Sequence, residues 1–123
     1  MPIINRVAEF ADEITVWRRD LHENPEPGYD VDRTAAIVAE KLRAFGCDDV
    51  VPGIGRTGVV AVIHGRSRQS GRVIGLCADM DALPMEEITG LPCASKTKGK
   101  IHACRHDSHT AMLWERPSTG RDP

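Results

Sequence analysis

The residues best suited to chemistry lie in the stretch HACRHDSH, residues 102–109. It holds three of the five histidines of the chain, together with a cysteine and an aspartate. Cys104 and His106 are two positions apart, so in an extended or turning segment both can offer their side chains, a thiolate and an imidazole, to one divalent metal. If a helix begins near Asp107, His109 faces the same way, and Asp107 suits the first turn of that helix.

The spacing C-x-H-x-x-H therefore indicates a metal site, but only part of one. Catalytic zinc-like centres use at least three protein ligands and keep one position open. The alternative interpretation is a polar turn whose histidines are satisfied by hydrogen bonds. His22 and His64 stand apart from this stretch and are interpreted as ordinary surface or packing residues.

A second group of polar residues lies in ADMDALP, residues 78–84. Asp79 and Asp81 follow an apolar run, so two carboxylates are expected where a buried strand reaches the surface. In open α/β sheets that edge is where binding sites are built. The alternative is that both aspartates cap a turn through hydrogen bonds to the backbone.

Two amphipathic helices are predicted ahead of these residues. The first has an apolar stripe at spacings of three and four and ends at ENPEPGY; its members are Ile3, Val7, Phe10, Ile14, Trp17 and Leu21. The second has the same spacing at Val31, Ala35, Val38, Leu42 and Phe45. We expect Asp30 or Asp32 as its N-cap and Gly46 as its C-terminal stop.

After the helices, two largely buried β-strands are predicted, at residues 59–63 and 73–78. The preceding VVPGIGRTG is interpreted as turn-rich, and the connecting HGRSRQSGR as a hairpin loop. The order helix, helix, strand, strand predicts the α/β class, with two amphipathic helices packed on a sheet.

Composition excludes several classes of partner. The 123 residues carry 16 basic and 18 acidic side chains, without a basic run, so no nucleic-acid partner is expected. No apolar stretch is long enough for a signal sequence or a membrane span, and we expect a cytoplasmic protein without a membrane partner. The four cysteines form no CxxC pair and are expected to be reduced.

Several long motifs occur in an order that resembles a known family. They are WRRDLHENPEPGY, RTAAIVAEKLRAFG, GIGRTGVVAVIHG and IGLCADMDALPMEEITGLPCASKTKGKIHACRHDSHTAML. From about Ile14 to Leu113 the chain resembles the amino-terminal third of the metal-dependent amidohydrolases that include hippurate hydrolase, N-acyl-amino-acid deacylases and auxin-conjugate hydrolases. The resemblance implies the amino-terminal part of a metallopeptidase-like catalytic domain at residues 1–113, followed by a divergent, disordered tail at 114–123.

The same resemblance implies roles for individual residues. Cys104 and His106 correspond to metal ligands, and Asp81 to the carboxylate that orients a ligand or polarises the water. Asp79 is a weaker candidate for a supporting role. The family site holds two divalent metals, with manganese, zinc, nickel or cobalt compatible with thiolate and imidazole. The implied substrate is a small N-acyl amino acid whose amide bond is cleaved; the oligomeric state is left open.

The chain departs from the family pattern at several positions. Arg105 stands where the family has glycine, and if that glycine has a positive φ, arginine costs about 1 to 2 kcal/mol there. Cys77, Cys93 and Ser108 also differ from the family residues. The tail WERPSTGRDP contains a helix-breaking proline. One set of codons that encodes Trp-Glu-Arg-Pro-Ser-Thr is TGG GAG CGG CCA AGT ACC, and the same bases read from the third one spell Gly-Ala-Ala-Lys-Tyr, which is close to the family. We predict a frameshift, which the coding DNA tests.

In the family, the general base, the other metal ligands and the lid lie beyond the position of residue 123. We therefore predict a hydrolase by resemblance that has little or no activity as this chain alone. The first alternative is a small remnant that binds one metal without catalysis. The second alternative is a partly folded remnant whose sheet edge and apolar helix faces need another chain.

Overall fold

The computed structural model describes residues 8–65 and 70–119. Its elements, in chain order, are helix α1 at Ala11–Glu23, helix α2 at Asp32–Ala44, strand β1 at Asp49–Ile54, strand β2 at Gly58–Val62 and helix α3 at His106–Thr119. No helix in this part of the chain is long and apolar enough to cross a membrane. The predicted α/β class is confirmed.

Helix α1 covers the carboxyl-terminal part of the first predicted apolar stripe. Residues Ile3 and Val7 of that stripe lie outside the described residues. The helix ends at Glu23, where Asn24 donates its backbone N–H to the carbonyl oxygen of Leu21 at 3.2 Å and its side-chain amide to that of Asp20 at 2.8 Å. Two prolines follow, so the predicted end of the helix at ENPEPGY is confirmed.

Helix α2 has an N-terminal cap that differs from the prediction. Val31 occupies the N-cap position, and neither Asp30 nor Asp32 caps the helix. Glu26 does so from the preceding loop: its carboxylate accepts the backbone N–H of Arg33 at 3.0 Å and that of Thr34 at 2.6 Å. At the other end, Gly46 has φ of 76° and stops the helix as predicted.

The strands form an antiparallel hairpin that was only half predicted. Strand β2 confirms the strand expected at residues 59–63. The interpretation of residues 50–58 as turn-rich is wrong, because most of this segment forms β1. Strand β1 pairs with β2 through partners such as Val51 and Val60. The turn therefore lies at residues 55–57. Gly58 is required at the start of β2, since a Cβ there would lie 2.5 Å from the carbonyl oxygen of Ile54.

The second predicted strand, residues 73–78, is not a strand in the structure. Within the described part of the chain it pairs with no other strand, and Val73 and Ile74 are 92% and 86% exposed. The hairpin predicted between residues 63 and 73 is therefore wrong, and residues 66–69 of its loop lie outside the described residues. β-Branched residues favour an extended backbone, but a strand also needs a hydrogen-bonding neighbour.

The hydrophobic core lies where the helices meet the hairpin. Leu21, Val38 and Trp114 form its buried centre, and partly buried apolar residues of both helices, β2 and the loop before the site surround them; these are Trp17, Ile37, Leu42, Phe45, Val59 and Met80. Trp17 of α1 makes an edge-on contact with Trp114 of α3, with ring centroids 5.8 Å apart. Helix α1 is thereby fixed against α3.

Helix α3 continues past the boundary predicted at residue 113. Residues 114–119, expected to belong to a disordered tail, are helical, and Trp114 is 2% exposed. The expected helix break before the proline is therefore wrong. Residues 120–123 of that tail lie outside the described residues, and the division of the chain at residue 113 stays a prediction.

Candidate functional site

The segment that carries both aspartates is held between two other parts of the chain. Ala82 donates its backbone N–H to the carbonyl oxygen of Glu26 at 2.7 Å, in a parallel bridge to the loop after α1. On the next residue, Leu83 exchanges two backbone hydrogen bonds with Ile101, at 2.8 and 3.0 Å. These bonds set residues 79–83 beside the start of α3, where the histidines lie.

His106 contacts Asp81 through one ring nitrogen. Its Nδ1 lies 2.9 Å from the backbone oxygen of Asp81 and 2.9 Å from carboxylate Oδ1 of the same residue. A carbonyl oxygen only accepts hydrogen bonds, so Nδ1 carries the proton in this arrangement. In a neutral ring Nε2 then has the lone pair, which is the form in which a histidine binds metal while a carboxylate holds its other nitrogen.

Asp79 lies on the other side of the His106 ring. Its Oδ2 is 3.8 Å from Nε2, which is too far for a hydrogen bond. Thr110, one turn further along α3, donates its hydroxyl to the backbone oxygen of Asp79 at 2.9 Å and fixes this segment against the helix. Asp79, the weaker candidate of the sequence analysis, therefore has its carboxylate on the side of the second ring nitrogen of His106.

Cys104 is exposed on the turn just before α3, and its thiol is not in a disulfide. The helix begins at His106, which agrees with the start predicted near Asp107. His109 follows on the same helix; it is exposed, and its ring centroid is 5.9 Å from that of His106. Across the residues that the structure describes, no three His, Cys, Asp or Glu side chains form a group that could hold a metal ion.

Arg105, between the two predicted ligands, has φ of 63°. This is the left-handed region, in which glycine is favoured and an L side chain is strained. The sequence analysis considered a positive φ for the family glycine at this position. The structure has that positive φ at residue 105, where this chain carries arginine.

A buried group of charges lies directly behind the site, and the sequence analysis missed it. Asp107, in the first turn of α3, is 1% exposed. Its Oδ2 accepts a hydrogen bond from Nε of Arg18 at 3.0 Å and lies 2.8 Å from Nδ1 of His22. The other ring nitrogen of His22 lies 3.3 Å from Oε1 of Glu87. We name Arg18, His22, Glu87 and Asp107 the buried charge cluster.

His22, interpreted as an ordinary surface or packing residue, is buried and joins two carboxylates in the interior. The sequence feature that could have indicated the role of His22 is its position, one residue after Leu21 of the apolar stripe and four after Arg18. Residues four apart lie on the same face of a helix. Two polar residues so close to the buried edge of an amphipathic helix indicate partners on another element.

Glu87 has further partners that bear on its charge. Burial raises its pKa, but hydrogen bonds from the Thr89 hydroxyl, the Ser95 backbone N–H and His22 outweigh burial, so the pKa lies below its ordinary value of 4.5. The Ser95 bond is 2.6 Å long. Glu87 is therefore held as a carboxylate.

His102, the first histidine of the opening stretch, has a different environment. It is buried, and neither ring nitrogen has a hydrogen-bond partner among the described residues. Burial lowers its pKa, and the nearby charges of His22 and His106 lower it further, against the opposing effect of Asp107 and Asp81. Its ring centroid is 6.4 Å from that of His22. His102 is thus a neutral neighbour of the buried charge cluster.

Comparison with known proteins agrees with this architecture. Residues 75–114 match the model of peptidase family M20/M25/M40. The chain is 46% identical over 113 residues to hippurate hydrolase of Campylobacter jejuni, covering 92% of this chain and 29% of that protein. It is 43% identical over 107 residues to an N-acyl-L-amino acid amidohydrolase of Geobacillus stearothermophilus, covering 87% of this chain and 28% of that protein.

A solved structure gives the same result for the fold. The YxeP protein of Bacillus subtilis, described as a dinuclear metal-binding peptidase of the M20 family, superposes with a TM-score of 0.77 at 38% identity. The alignment covers 90% of this chain and 32% of that protein. The chain thus spans about a third or less of the length of these relatives.

The fold is an α/β fragment that superposes on part of a solved M20-family protein. The chain is similar in sequence and in fold to part of peptidase family M20/M25/M40, and the predicted resemblance to the amidohydrolases is confirmed.

Proposed function

We propose that this chain supplies part of the metal site of a hydrolase that cleaves the amide bond of N-acyl amino acids of the hippurate type. The observation that carries the proposal is the arrangement of His106, whose Nδ1 is held by Asp81 while Nε2 faces the Asp79 carboxylate at 3.8 Å. The names of the relatives from Campylobacter and Geobacillus support the substrate class.

The donor set fits a divalent metal. His106 offers the lone pair of Nε2, Cys104 offers an exposed thiol two residues earlier, and these two are the proposed ligands. Asp81 acts on the ligand His106 as a positioning carboxylate, and Asp79 is a candidate for a further contact. Manganese, zinc, nickel and cobalt all accept such ligands, and the complete family site is proposed to hold two ions.

The bound metal would supply Lewis acidity and lower the pKa of a water molecule. Before a metal binds, the residues of this chain hold the ligand His106 in place and in the tautomer that can bind metal. They also exclude water from one side of the site, since Asp107 and His102 are buried directly behind His106. Cys104 would bind a metal as a thiolate, so metal binding at this site would release a proton.

Hydrolysis by this chain alone is proposed to be weak or absent. A carbonyl-attacking water needs a general base and a metal in fixed geometry, whereas the described residues contain no group of three ligands. The same observation favours a second candidate function, a small protein that binds one metal through Cys104 and His106 without catalysis.

Metal content and hippurate hydrolysis, measured on the same purified sample with added manganese or zinc, test the proposal. Cys104→Ser is the informative variant, and Cys77→Ser is its matched control because both cysteines are exposed and neither is in a disulfide. We expect one weakly bound metal that is lost in Cys104→Ser and kept in Cys77→Ser.

The outcomes separate the candidates. Turnover that depends on Cys104 shows that the site is complete and contradicts the proposed weak activity. One metal without turnover supports the single-metal protein. Equal metal binding by both serine variants contradicts the role of Cys104 in either function.

A further inference from the structure

The buried charge cluster has a geometry that links helix α1 to the metal-binding histidine. Asp107 follows His106 directly in the chain, and both lie in the first turn of α3. While the imidazole of His106 reaches Asp81, the carboxylate of Asp107 reaches back to Arg18 and His22 on α1. Neighbouring residues of one helical turn are thus held by two different parts of the chain.

Helix α3 has a second attachment to α1, further along. Trp114 lies about two turns after Asp107 and packs edge-on against Trp17 at a centroid distance of 5.8 Å. A single contact of this kind leaves a helix free to rotate about its axis. Two contacts to the same helix, one at the first turn and one two turns later, fix both its rotation and its translation.

The energetics of Asp107 make its attachment specific. A carboxylate that is 1% exposed is costly unless hydrogen bonds and opposite charge compensate for the lost water. Only Oδ2 is compensated in the described structure, through Arg18 and His22, and Oδ1 has no hydrogen-bond partner. Any rotation of the first turn of α3 therefore breaks the bonds that this buried charge requires.

We propose that His22 is a positioning residue for the metal site, acting through Asp107 to hold His106 in the tautomer that leaves Nε2 available. The consequence for catalysis rests on the proposed function. The positioning itself does not, because the tautomer of His106 is a property of the metal-free protein.

The chain offers a matched pair of substitutions at position 22. Asparagine places its amide nitrogen near the position of the histidine Nδ1, so His22→Asn can keep the bond to Asp107 and lose that to Glu87. Glutamine places its amide nitrogen near the position of Nε2, so His22→Gln can keep the bond to Glu87 and lose that to Asp107. Both variants put a neutral amide in the same buried space, which controls for polarity.

The experiment is NMR of the full chain with ¹⁵N-labelled histidine, without metal, at pH about 8.5, roughly two units above the ordinary histidine pKa of about 6.5. Two-bond ¹H–¹⁵N correlations distinguish the tautomers, and His106→Gln assigns the signal. In the native chain and in His22→Asn we expect the Nδ1–H tautomer of His106 to predominate. In His22→Gln we expect it to lose that predominance.

Two results overturn the proposal. One is a folded His22→Gln protein in which the His106 signals match those of the native chain. The other is an equal loss in His22→Asn and His22→Gln, which shows that the bond to Asp107 is not what matters.

A variant at the partly exposed Arg18 guards against misfolding of the position 22 variants. Arg18→Gln removes the other hydrogen bond to Oδ2 of Asp107, and its side chain is 32% exposed, so the core is less affected. We expect it to reduce the Nδ1–H tautomer of His106 in the same direction. No reduction contradicts the proposal. A native chain that shows the Nδ1–H tautomer of His106 but binds no added manganese or zinc contradicts the proposed function alone.

Discussion

Among the individual residues, Arg105 has a strained backbone, because its φ of 63° lies in the left-handed region. That conformation costs an L residue about 1 to 2 kcal/mol, whereas glycine adopts it without strain but loses more entropy on folding. We expect Arg105→Gly to raise the free energy of unfolding by about 1 kcal/mol, measured by urea denaturation. Arg43→Gly is the control, because Arg43 lies in α2, where glycine should destabilise by about 1 kcal/mol. Equal losses in both variants would contradict the strain.

Glu87 gives the stability of the chain a dependence on pH. Its pKa is below 4.5 in the folded chain, since hydrogen bonds to its carboxylate outweigh burial. A lowered carboxyl pKa stabilises the fold above the unfolded value, and this contribution is lost as pH falls through the folded value. We expect Glu87→Gln to lower stability at pH 7 by about 1 to 2 kcal/mol and to flatten the loss of stability below pH 4.5.

Chemical denaturation of the Glu87→Gln variant at a series of pH values checks this prediction. Glu86→Gln is the control: Glu86 is exposed, and its one described hydrogen bond comes from the backbone N–H of Gly99 at 2.9 Å. It should change stability little at any pH. A native pH profile in Glu87→Gln would show that the buried carboxylate does not contribute as proposed.

The candidate site was predictable to the extent that its residues are close in sequence. The pair Cys104 and His106 and the aspartates of ADMDALP stand out by residue type and spacing, and the structure brings Asp81 to His106. His22 was not predictable in the same way, because its partners Asp107 and Glu87 are 85 and 65 positions away. Spacing reports on local neighbours, whereas contacts across the fold depend on how helices pack.

At the scale of elements, helix α2 begins at a carboxylate outside the helix. The Glu26 carboxylate accepts two backbone N–H groups of the first turn and the buried hydroxyl of Thr34 at 2.6 Å. Without it, those donors lose their partner, and Thr34 is only 1% exposed. We expect Glu26→Ala to lower the free energy of unfolding by about 2 kcal/mol. Glu40→Ala, exposed within the same helix, should change it by less than about 0.5 kcal/mol.

Thermal or urea unfolding followed by circular dichroism measures both of these variants. If the two alanine variants are equally stable, the Glu26 cap makes no net contribution. Because Ala82 also bonds to the backbone of Glu26, the variant retains that link to the site segment. Loss of stability without a change at His106 would assign the effect to the helix terminus.

The helices were more predictable than the strands for a physical reason. A helix satisfies its backbone hydrogen bonds within its own segment, so an apolar stripe at spacings of three and four identifies it. A strand needs a second strand, and the sequence does not state which segment that is. Val51 and its neighbours, interpreted as a turn, pair with β2, whereas the apolar residues 73–78, predicted to be a strand, pair with no strand in the described structure.

At the scale of the whole molecule, this unpaired segment exposes apolar side chains to solvent. Val73, Ile74 and Leu76 are exposed, and beside them a groove of about 450 Å³ is lined by residues of α2, β2 and α3. Soluble monomers rarely expose apolar patches of this kind, and the chain spans about a third or less of its relatives. The surface follows from an extended apolar segment that has no strand beside it in the described structure.

We expect this surface to bind a hydrophobic dye and to promote self-association of the isolated chain. Ile74→Lys should reduce both, because a charge in the centre of the patch opposes its removal from water. Val16→Lys is the control, since Val16 is 65% exposed on α1, far along the chain from the patch. Dye fluorescence and light scattering at several concentrations measure the effect. If Ile74→Lys and Val16→Lys reduce both signals equally, general charge rather than the patch determines association. If neither does, residues 73–76 are covered in solution.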